Sequence, residues 1–453
     1  MKSLEEFITE NQYIQTVKGL KGRRQLYVVG GTVRDIILGF EPADYDFAVS
    51  GSGISFARSI SRRIKGAFVL LSKDDDEARV VKDDIIWDFV GIGKQNILAD
   101  LKRRDFTINS MAVNCDTLEF VDPFGGLKDM ERKILRLTTT KSLRDDPLRI
   151  LRGFRLSLEL RFSLHKDFLK HAAEVDLRKT AAERIGVELL RIMAAGDSFE
   201  SVLRMNTLGL FLKMLPEANK IIGDDYLWTH SLGTYEAVEN LMGKGFFKNF
   251  ETEFSAYFIQ PERKALVKLA ALFHDIAKPD TMLVKNGEVH FYGHDTKGSR
   301  IVRNLCFKRL KMSRSDVAKV SKLVKEHMRL HLLATNSELT DRAIRRFFRD
   351  LGEDWFGAMM IAWADGYATA GWTKHLEQVF ERMISLKRAD DAKPKVERLV
   401  NGHDLIALGL KPGPRFKVIL QELLDLQLEE KITSKDEGLA TALKINERLD
   451  LAG

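Results

Sequence analysis

A chain of 453 residues, 44% hydrophobic and 30% charged, has the length for two or three domains and the composition of an ordinary globular protein. Two cysteines, Cys115 and Cys306, exclude a disulfide framework and a cysteine-based metal site, so a reducing, cytoplasmic setting is expected. There is no apolar run of about 18 residues to span a membrane, and the N-terminus is acidic and amphipathic, unlike a signal peptide. The net charge of +7 is unevenly placed: residues 296–349 hold 15 Lys/Arg against 4 Asp/Glu, and the remainder is net acidic by 4. A basic block of this kind is either a set of solvated helix faces or a surface for an RNA backbone.

Residues 1–24 read as an N-terminal extension, a helix followed by a basic linker. Residues 25–140 alternate strand-like and helix-like stretches, which predicts an α/β head. Its first strand, Tyr27–Val29, runs into Gly30-Gly31, a turn whose backbone N–H groups open a helix and suit a phosphate. That helix carries Arg34 and Asp35, and Gly39 ends it. The next strand carries Asp44 and Asp46, which at i and i+2 point to one side and repel each other unless a cation sits between them. A phosphate cradle beside paired acids suggests Mg²⁺-assisted nucleotidyl transfer. Strands are further expected at Phe68–Leu71, Ala78–Val81 and Ile85–Val90, with Asp74–Glu77 as a solvated turn. Asp88 lies in an apolar strand, where an acid needs a partner; it is either a third metal-site carboxylate or a strand-end acid. Arg103, Arg104, Asp105 and Asn109 follow, with charges suited to triphosphate and ribose hydroxyls.

From residue 141 the pattern becomes almost wholly helical. Residues 141–200 form a neck, in which Asp145 and Asp146 share a helix face with Arg149 and brace it, and Pro147 occupies the first turn. A rigid Asp146/Arg149 pair offers an acceptor and donors that match the Watson–Crick edge of cytosine and, with a small shift, of adenine. An ion pair at this spacing is more often purely structural. Arg152 and Arg155 continue the basic face. Residues 201–375 form a body that carries most of the histidines, His294 and His327 among them; within it His230, the His274-Asp275 dyad and the later Asp365 recur as imidazoles and carboxylates that suit a transition metal. The tail, 376–453, is helical with turns at Gly402 and Pro412-Gly413-Pro414.

Taken together these motifs resemble the class II (bacterial/eukaryotic type) tRNA nucleotidyltransferases and the related bacterial poly(A) polymerases, almost end to end. Gly30-Gly31-x-Val33-Arg34-Asp35 with Asp44-x-Asp46 resembles the first motif, and Arg103–Asn109 the ribose-selecting one. Asp122-Pro123-x-Gly125-Gly126 resembles the hinge, Asp145-Asp146-x-x-Arg149 the base reader, and Glu183-Arg184-Ile185 its buttress. The resemblance implies a polymerase-β-like nucleotidyltransferase head followed by an all-helical neck, an HD-type body and a tail, an α+β chain. It implies Mg²⁺ held by Asp44 and Asp46, phosphates by Gly30, Gly31 and Arg34, and ribose by Arg104 and Asp105. It also implies CTP and ATP as nucleotides, tRNA as acceptor, and His230, His274, Asp275 and Asp365 as ligands of a second, divalent transition metal. The tail motifs, Gly402-His403-Asp404-Leu405 and Gly409-x-x-Pro412-Gly413-Pro414, resemble the tRNA enzymes and argue against a poly(A) polymerase. Two features depart from the family. Asp145 stands where Glu is usual, and only 14 residues, Phe89–Lys102, separate Asp88 from Arg103. That connection is longer in CCA-adding members, so its shortness implies a CC-adding enzyme. The alternatives are a trimmed loop in a full CCA-adding enzyme, a poly(A) polymerase, and an HD phosphohydrolase whose head only binds RNA.

Overall fold

The computed structural model describes residues 3–451 except 94–95, 179, 244–247, 336–338, 372, 393–396 and 430. Lys94 and Gln95 of the short connection, residues 336–338 of the basic block and Glu430 of the tail therefore lie outside the described residues. Seven strands build the head: β1 Leu26–Val29, β2 Asp44–Val49, β3 Ala67–Ser72, β4 Glu77–Lys82, β5 Ile85–Gly91, β6 Ala112–Asn114 and β7 Phe120–Val121. They form one sheet in the order β3-β4-β5-β2-β1-β6-β7. β2 and β5 are parallel, which sets Asp46 beside Asp88 in register. The other pairs are antiparallel. Alternation along β2 sends Tyr45 and Phe47 into the core and leaves Asp44 and Asp46 on the opposite face.

The extension at 1–24 is two helices, Leu4–Glu10 and Gln12–Leu20, each opened by a side-chain cap. Ile8, Ile14 and Val17 are fully buried in the core shared with the head, and the indole N–H of Trp87 donates to the Tyr13 carbonyl. The acidic turn before β4 is not merely solvated. Asp76, with φ 54°, accepts from the backbone N–H groups of Gly53 and Ile54 and from the Ser52 hydroxyl, capping the helix Gly53–Ile64. An acid at a helix N-terminus satisfies donors that the helix itself cannot.

The neck departs from its expected single helix. Residues Ser142–Asp145 form a short helix, Asp146 is extended (φ −140°, ψ 101°), and a new helix runs Arg149–Leu160. Pro147 drives its predecessor out of helical backbone, and Asp146 Oδ1 then accepts from Leu148 N–H. Asp145 and Asp146 are thus not on the helix of Arg149, and the expected intrahelical bracing does not form. Before the neck come a helix Gly126–Glu131 and a strand Ile134–Leu135 paired in parallel with Ser163–Leu164.

Neck and body join through the helix Ala182–Ala194 and a buried polar knot. Lys268, fully buried, donates to the Ala195 carbonyl, to Ser198 Oγ and to Glu239 Oε2. Burying an ammonium is tolerable only with partners of this kind. The tail, with helices Gly402–Ala407, Pro414–Leu428 and Lys435–Leu451, has its own small core around Leu405, Ile419, Leu423 and Ile445. Its junction with the body is ionic, Arg349 donating to Asp425 at 2.7 Å. Among the described residues no helix is long and apolar enough to cross a membrane.

Candidate active site

Asp44, Asp46 and Asp88 meet at the centre of the head sheet. Thr32 ties β2 to the helix Gly30–Leu38: its hydroxyl donates to the Asp44 carbonyl and accepts from Asp46 N–H. Burial pushes the Asp46 carboxyl up to about 6; Asp88 pushes the same way, while Arg104, Thr32 and Arg34 pull it down. Burial also raises Asp44, against Arg79. The Asp44 and Asp46 carboxyls are thus raised despite the arginines around them, and an added cation would favour their charged forms. Hard carboxylate oxygens on one face of a sheet suit Mg²⁺, so Asp44 and Asp46, with Asp88 beside them, fit the ion.

In this arrangement the nearest cation is one the sequence reading missed. Arg79 of β4 grips Asp88 with two hydrogen bonds, 2.7 and 2.8 Å, and stands 3.9 Å from Asp44 Oδ2. The signal was available: a tight turn at Asp83-Asp84 pairs Lys82 with Ile85, and that register puts Arg79 opposite Asp88.

Gly30 plays a different part from the one expected. Its N–H donates to the Met111 carbonyl at 3.2 Å and is not turned to a ligand. What Gly30 supplies is room and a left-handed backbone. Its φ is +68°, and a Cβ there would come within 2.5 Å of Arg104 Nη1 and 3.0 Å of Asp46 Oδ2. At Gly31 a Cβ would lie 3.3 Å from the same Asp46 oxygen.

Four of the predicted residues form one chain of hydrogen bonds. Arg34 Nη1 donates to Asn109 Oδ1 at 2.8 Å, Asn109 Nδ2 donates to Asp105 Oδ1 at 3.0 Å, and Arg152 donates twice to Asp105 Oδ2, at 3.0 and 3.1 Å. Burial would raise the Asp105 carboxyl. Arg152, Asn109, Arg149 and the Phe106 N–H outweigh it and hold it at about 2. Arg103 and Arg104 are both anchored on Asp100, a buried acid that the sequence reading passed over.

Although the Arg149 N–H donates to the Asp146 carbonyl at 3.1 Å, the two side chains do not pair with each other; each is held by other groups. Asp146 Oδ2 accepts from Arg184 at 2.9 Å, while Arg149 donates to Ser142 Oγ at 2.7 Å and to the Arg103 carbonyl at 2.7 Å. Arg149 therefore links the neck to the segment that carries Arg103 and Arg104. Arg155 lies apart from this group, its guanidinium bound to Glu188 at 2.7 Å and Glu159 at 2.6 Å.

In the body, His230 of the helix Asp225–Gly243 and Asp365 of the helix Trp355–Ala370 meet His274 and Asp275, which lie in the turn after Glu262–Leu272. His230 Nε2 is 3.2 Å from His274 Nε2 and 3.0 Å from Asp365 Oδ1, and His274 Nε2 is 3.2 Å from Asp275 Oδ2. Burial disfavours the His274 imidazolium, but Asp275 and Asp365 outweigh it and hold the ring near 10. Lys278 Nζ stands 2.5 Å from Asp275 Oδ2. Carboxylates at the centre of a helical bundle demand compensating positive charge, and neutral imidazoles with carboxylates are the donor set for a transition metal. His294 and His327 also reach this centre, although their spacing in the sequence gave no such indication.

The head, with paired strand-borne acids and a helix-opening glycine turn, and the basic helical units behind it have the make-up of a nucleotidyltransferase that handles RNA. Comparison with known proteins agrees. Residues 26–136 match the poly(A) polymerase head domain, 164–222 the probable RNA and SrmB-binding site of polymerase A, and 227–369 the HD domain. The A-adding tRNA nucleotidyltransferase of Deinococcus radiodurans is 30% identical over 91% of this chain and 94% of its own. The CC-adding tRNA nucleotidyltransferase of Synechocystis is 28% identical over 93% and 94%. The chain belongs to the tRNA nucleotidyltransferase family. In fold it is similar to the Thermotoga maritima CCA-adding enzyme solved with tRNA, with a TM-score of 0.67 over 98% of both chains at 21% identity.

Proposed function

We propose that this enzyme extends the 3′ end of tRNA with cytidine from CTP and stops before the terminal adenosine. The observation that carries this reading is the brevity of the connection after Asp88. β5 ends at Gly91, Gly93 pairs with Gly51, and the next helix opens at Ile97, capped by Asn96. A link of this length leaves little chain to reach over the nucleotide and change the selection from C to A. The Synechocystis relative named as CC-adding supports it. The Deinococcus relative named as A-adding favours a second reading, in which a tRNA already ending in CC receives A from ATP.

In either reading the 3′-hydroxyl of the acceptor attacks the α-phosphorus of the nucleotide and pyrophosphate leaves. Asp44 and Asp46, with Asp88, would hold Mg²⁺, which supplies charge neutralisation at the reacting phosphates. Arg34 and Arg104 flank that site with fixed positive charge for the triphosphate. Asp105 accepts from ribose hydroxyls, its second oxygen held by Arg152. Asp146, held by Arg184, accepts from the exocyclic amine of the base, and Arg149 donates to its ring acceptors. The acceptor arm lies along neck, body and tail, drawn by the basic face of residues 296–349.

Incorporation of labelled CTP and ATP, each alone, onto tRNA lacking its 3′ end and onto tRNA ending in CC tests the reading. C on the first substrate and nothing on the second is expected; A on the second would refute CC addition. The body, matching an HD domain, is proposed as a metal phosphohydrolase for 2′,3′-cyclic or terminal phosphates. Unchanged hydrolysis by His274→Ala would refute that assignment.

A further inference from the structure

The cations around the three head acids are not equivalent. Arg104 is anchored on Asp100 at 2.9 Å, and Arg34 on Asp35 and Asn109 at 2.8 Å. Arg79 is anchored instead on one of the acids themselves. Its fork takes both oxygens of Asp88, and Nη2, which meets Asp88 Oδ2 at 2.8 Å, also stands 3.9 Å from Asp44 Oδ2. We propose that Arg79 and a divalent ion compete for Asp88 and that the nucleotide decides the competition: when ion and nucleotide bind, the guanidinium leaves Asp88 and pairs with the triphosphate. This exchange rests on the reading of Asp44, Asp46 and Asp88 as the Mg²⁺ site and adds to it a residue that trades places with the ion.

Three observations support it. The first is place. Asp88 lies beside Asp46 in the parallel register of β2 and β5, so an ion shared by the three acids would come close to the guanidinium. The fork spends a lone pair of each Asp88 oxygen and brings positive charge to the spot where the ion's charge is needed, and two cations so near repel. The second is freedom of the side chain. Arg79 is paired on both sides, with Val69 of β3 and Asp88 of β5, so its backbone is fixed in the sheet. The side chain itself is 32% exposed, with Asp44 beyond it 42% exposed, so the guanidinium can turn about its own torsions without breaking the ladder. The third is the destination. Arg103 Nη1 comes within 3.9 Å of Asp75 Oδ1 in the turn before β4, so the arginine segment assigned to the triphosphate borders the strand that carries Arg79. Phosphate oxygens accept a guanidinium fork at two points as a carboxylate does, so the exchange leaves no charge unpaired before or after it.

The test uses the full chain, stripped with chelator, in two binding measurements without tRNA, so that no turnover occurs. Mn²⁺ binding in the absence of nucleotide is followed by electron paramagnetic resonance of the free ion, with Asp46→Ala measured alongside to subtract ions held outside the head. CTP and ATP are each bound by equilibrium dialysis at saturating Mg²⁺, and the nucleotide that the parent holds more tightly is followed. Arg79→Gln should bind Mn²⁺ at the head about tenfold more tightly than the parent and the nucleotide about tenfold more weakly. Arg79→Lys, which keeps the charge but not the fork, should shift both in the same directions by less, and it decides the matter should Arg79→Gln fail to fold. Tighter Mn²⁺ with unchanged nucleotide binding would overturn the exchange and leave Arg79 a fixed partner of Asp88. Unchanged Mn²⁺ binding, or a weakening of both, would overturn it as well. Mn²⁺ binding identical in the parent and Asp46→Ala would overturn the Mg²⁺ reading of the three acids and the exchange with it.

Discussion

At the scale of single residues, Asp46 and Asp105 titrate in opposite directions. With its carboxyl near 6, Asp46 is increasingly protonated as pH falls through that value, and an arriving cation must displace the proton. The Mg²⁺ concentration giving half-maximal incorporation should therefore be roughly fourfold higher at pH 5.5 than at pH 7.5; a flat profile would place the limiting group elsewhere. Asp105, held near 2, contributes stability that is complete above about 4 and is lost as pH falls toward 2. Removing its charged partner by Arg152→Ala should cost roughly 2 kcal/mol at neutral pH and move acid unfolding to higher pH, both readable by circular dichroism. Gly30→Ala introduces a side chain at φ +68° beside Arg104 and Asp46, and should cost about 1–2 kcal/mol along with most incorporation. Asp46→Ala should lower incorporation roughly a thousandfold or more while leaving the melting temperature within a few degrees.

Among the elements, the break at Pro147 matters most. Were residues 142–160 one helix, Asp146 would stand on the face of Arg149 and pair with it. With the break, Asp146 is handed to Arg184 of the helix Ala182–Ala194, and Arg149 is free to reach back to the Arg103 carbonyl. The base-reading groups are thereby fixed from outside, by the helix Ala182–Ala194 and by the segment that carries the triphosphate-side arginines. Arg184→Ala should lower discrimination between CTP and UTP about tenfold, measured as the ratio of kcat/KM, with a smaller effect on CTP itself. An equal loss for both nucleotides would mean that Arg184 supports the fold rather than the reading of the base.

For the whole molecule, charge distribution and domain junctions decide behaviour. Body and tail face each other across a cleft of about 950 Å³ whose lining is net positive: Arg303, Lys322, Lys325, Arg342, Arg346, Arg349 and Lys417 outnumber Glu326, Asp350, Glu422 and Asp425, and among the described residues of that lining Arg303 and Lys417 form no ion pair. A groove of this sign suits a phosphate backbone. The double variant Arg303→Ala/Lys417→Ala should weaken tRNA binding several-fold and reduce the slope of log affinity against log salt by between about one and two. Incorporation at saturating tRNA should change little.

The strands of the head, its glycine turn and the two acids on β2 were legible in order, because alternation, turn residues and short-range spacing are local properties of a chain. So was the HD pair at His274-Asp275, which follows an apolar helical run. Residues whose partners lie far along the sequence were not legible. Nothing near Arg79 announces Asp88 until the hairpin register is drawn, and nothing near His294 or His327 announces Asp275. A local rule also misjudged Asp146: spacing alone predicts a partner at i+3, but Pro147 turns the backbone and the partner becomes a residue 38 positions away. The sequence by itself determined the α+β head, the helical remainder and the chemical types at the site. Only the tertiary structure decided which charges face one another, since those pairings depend on packing between elements that no local pattern encodes.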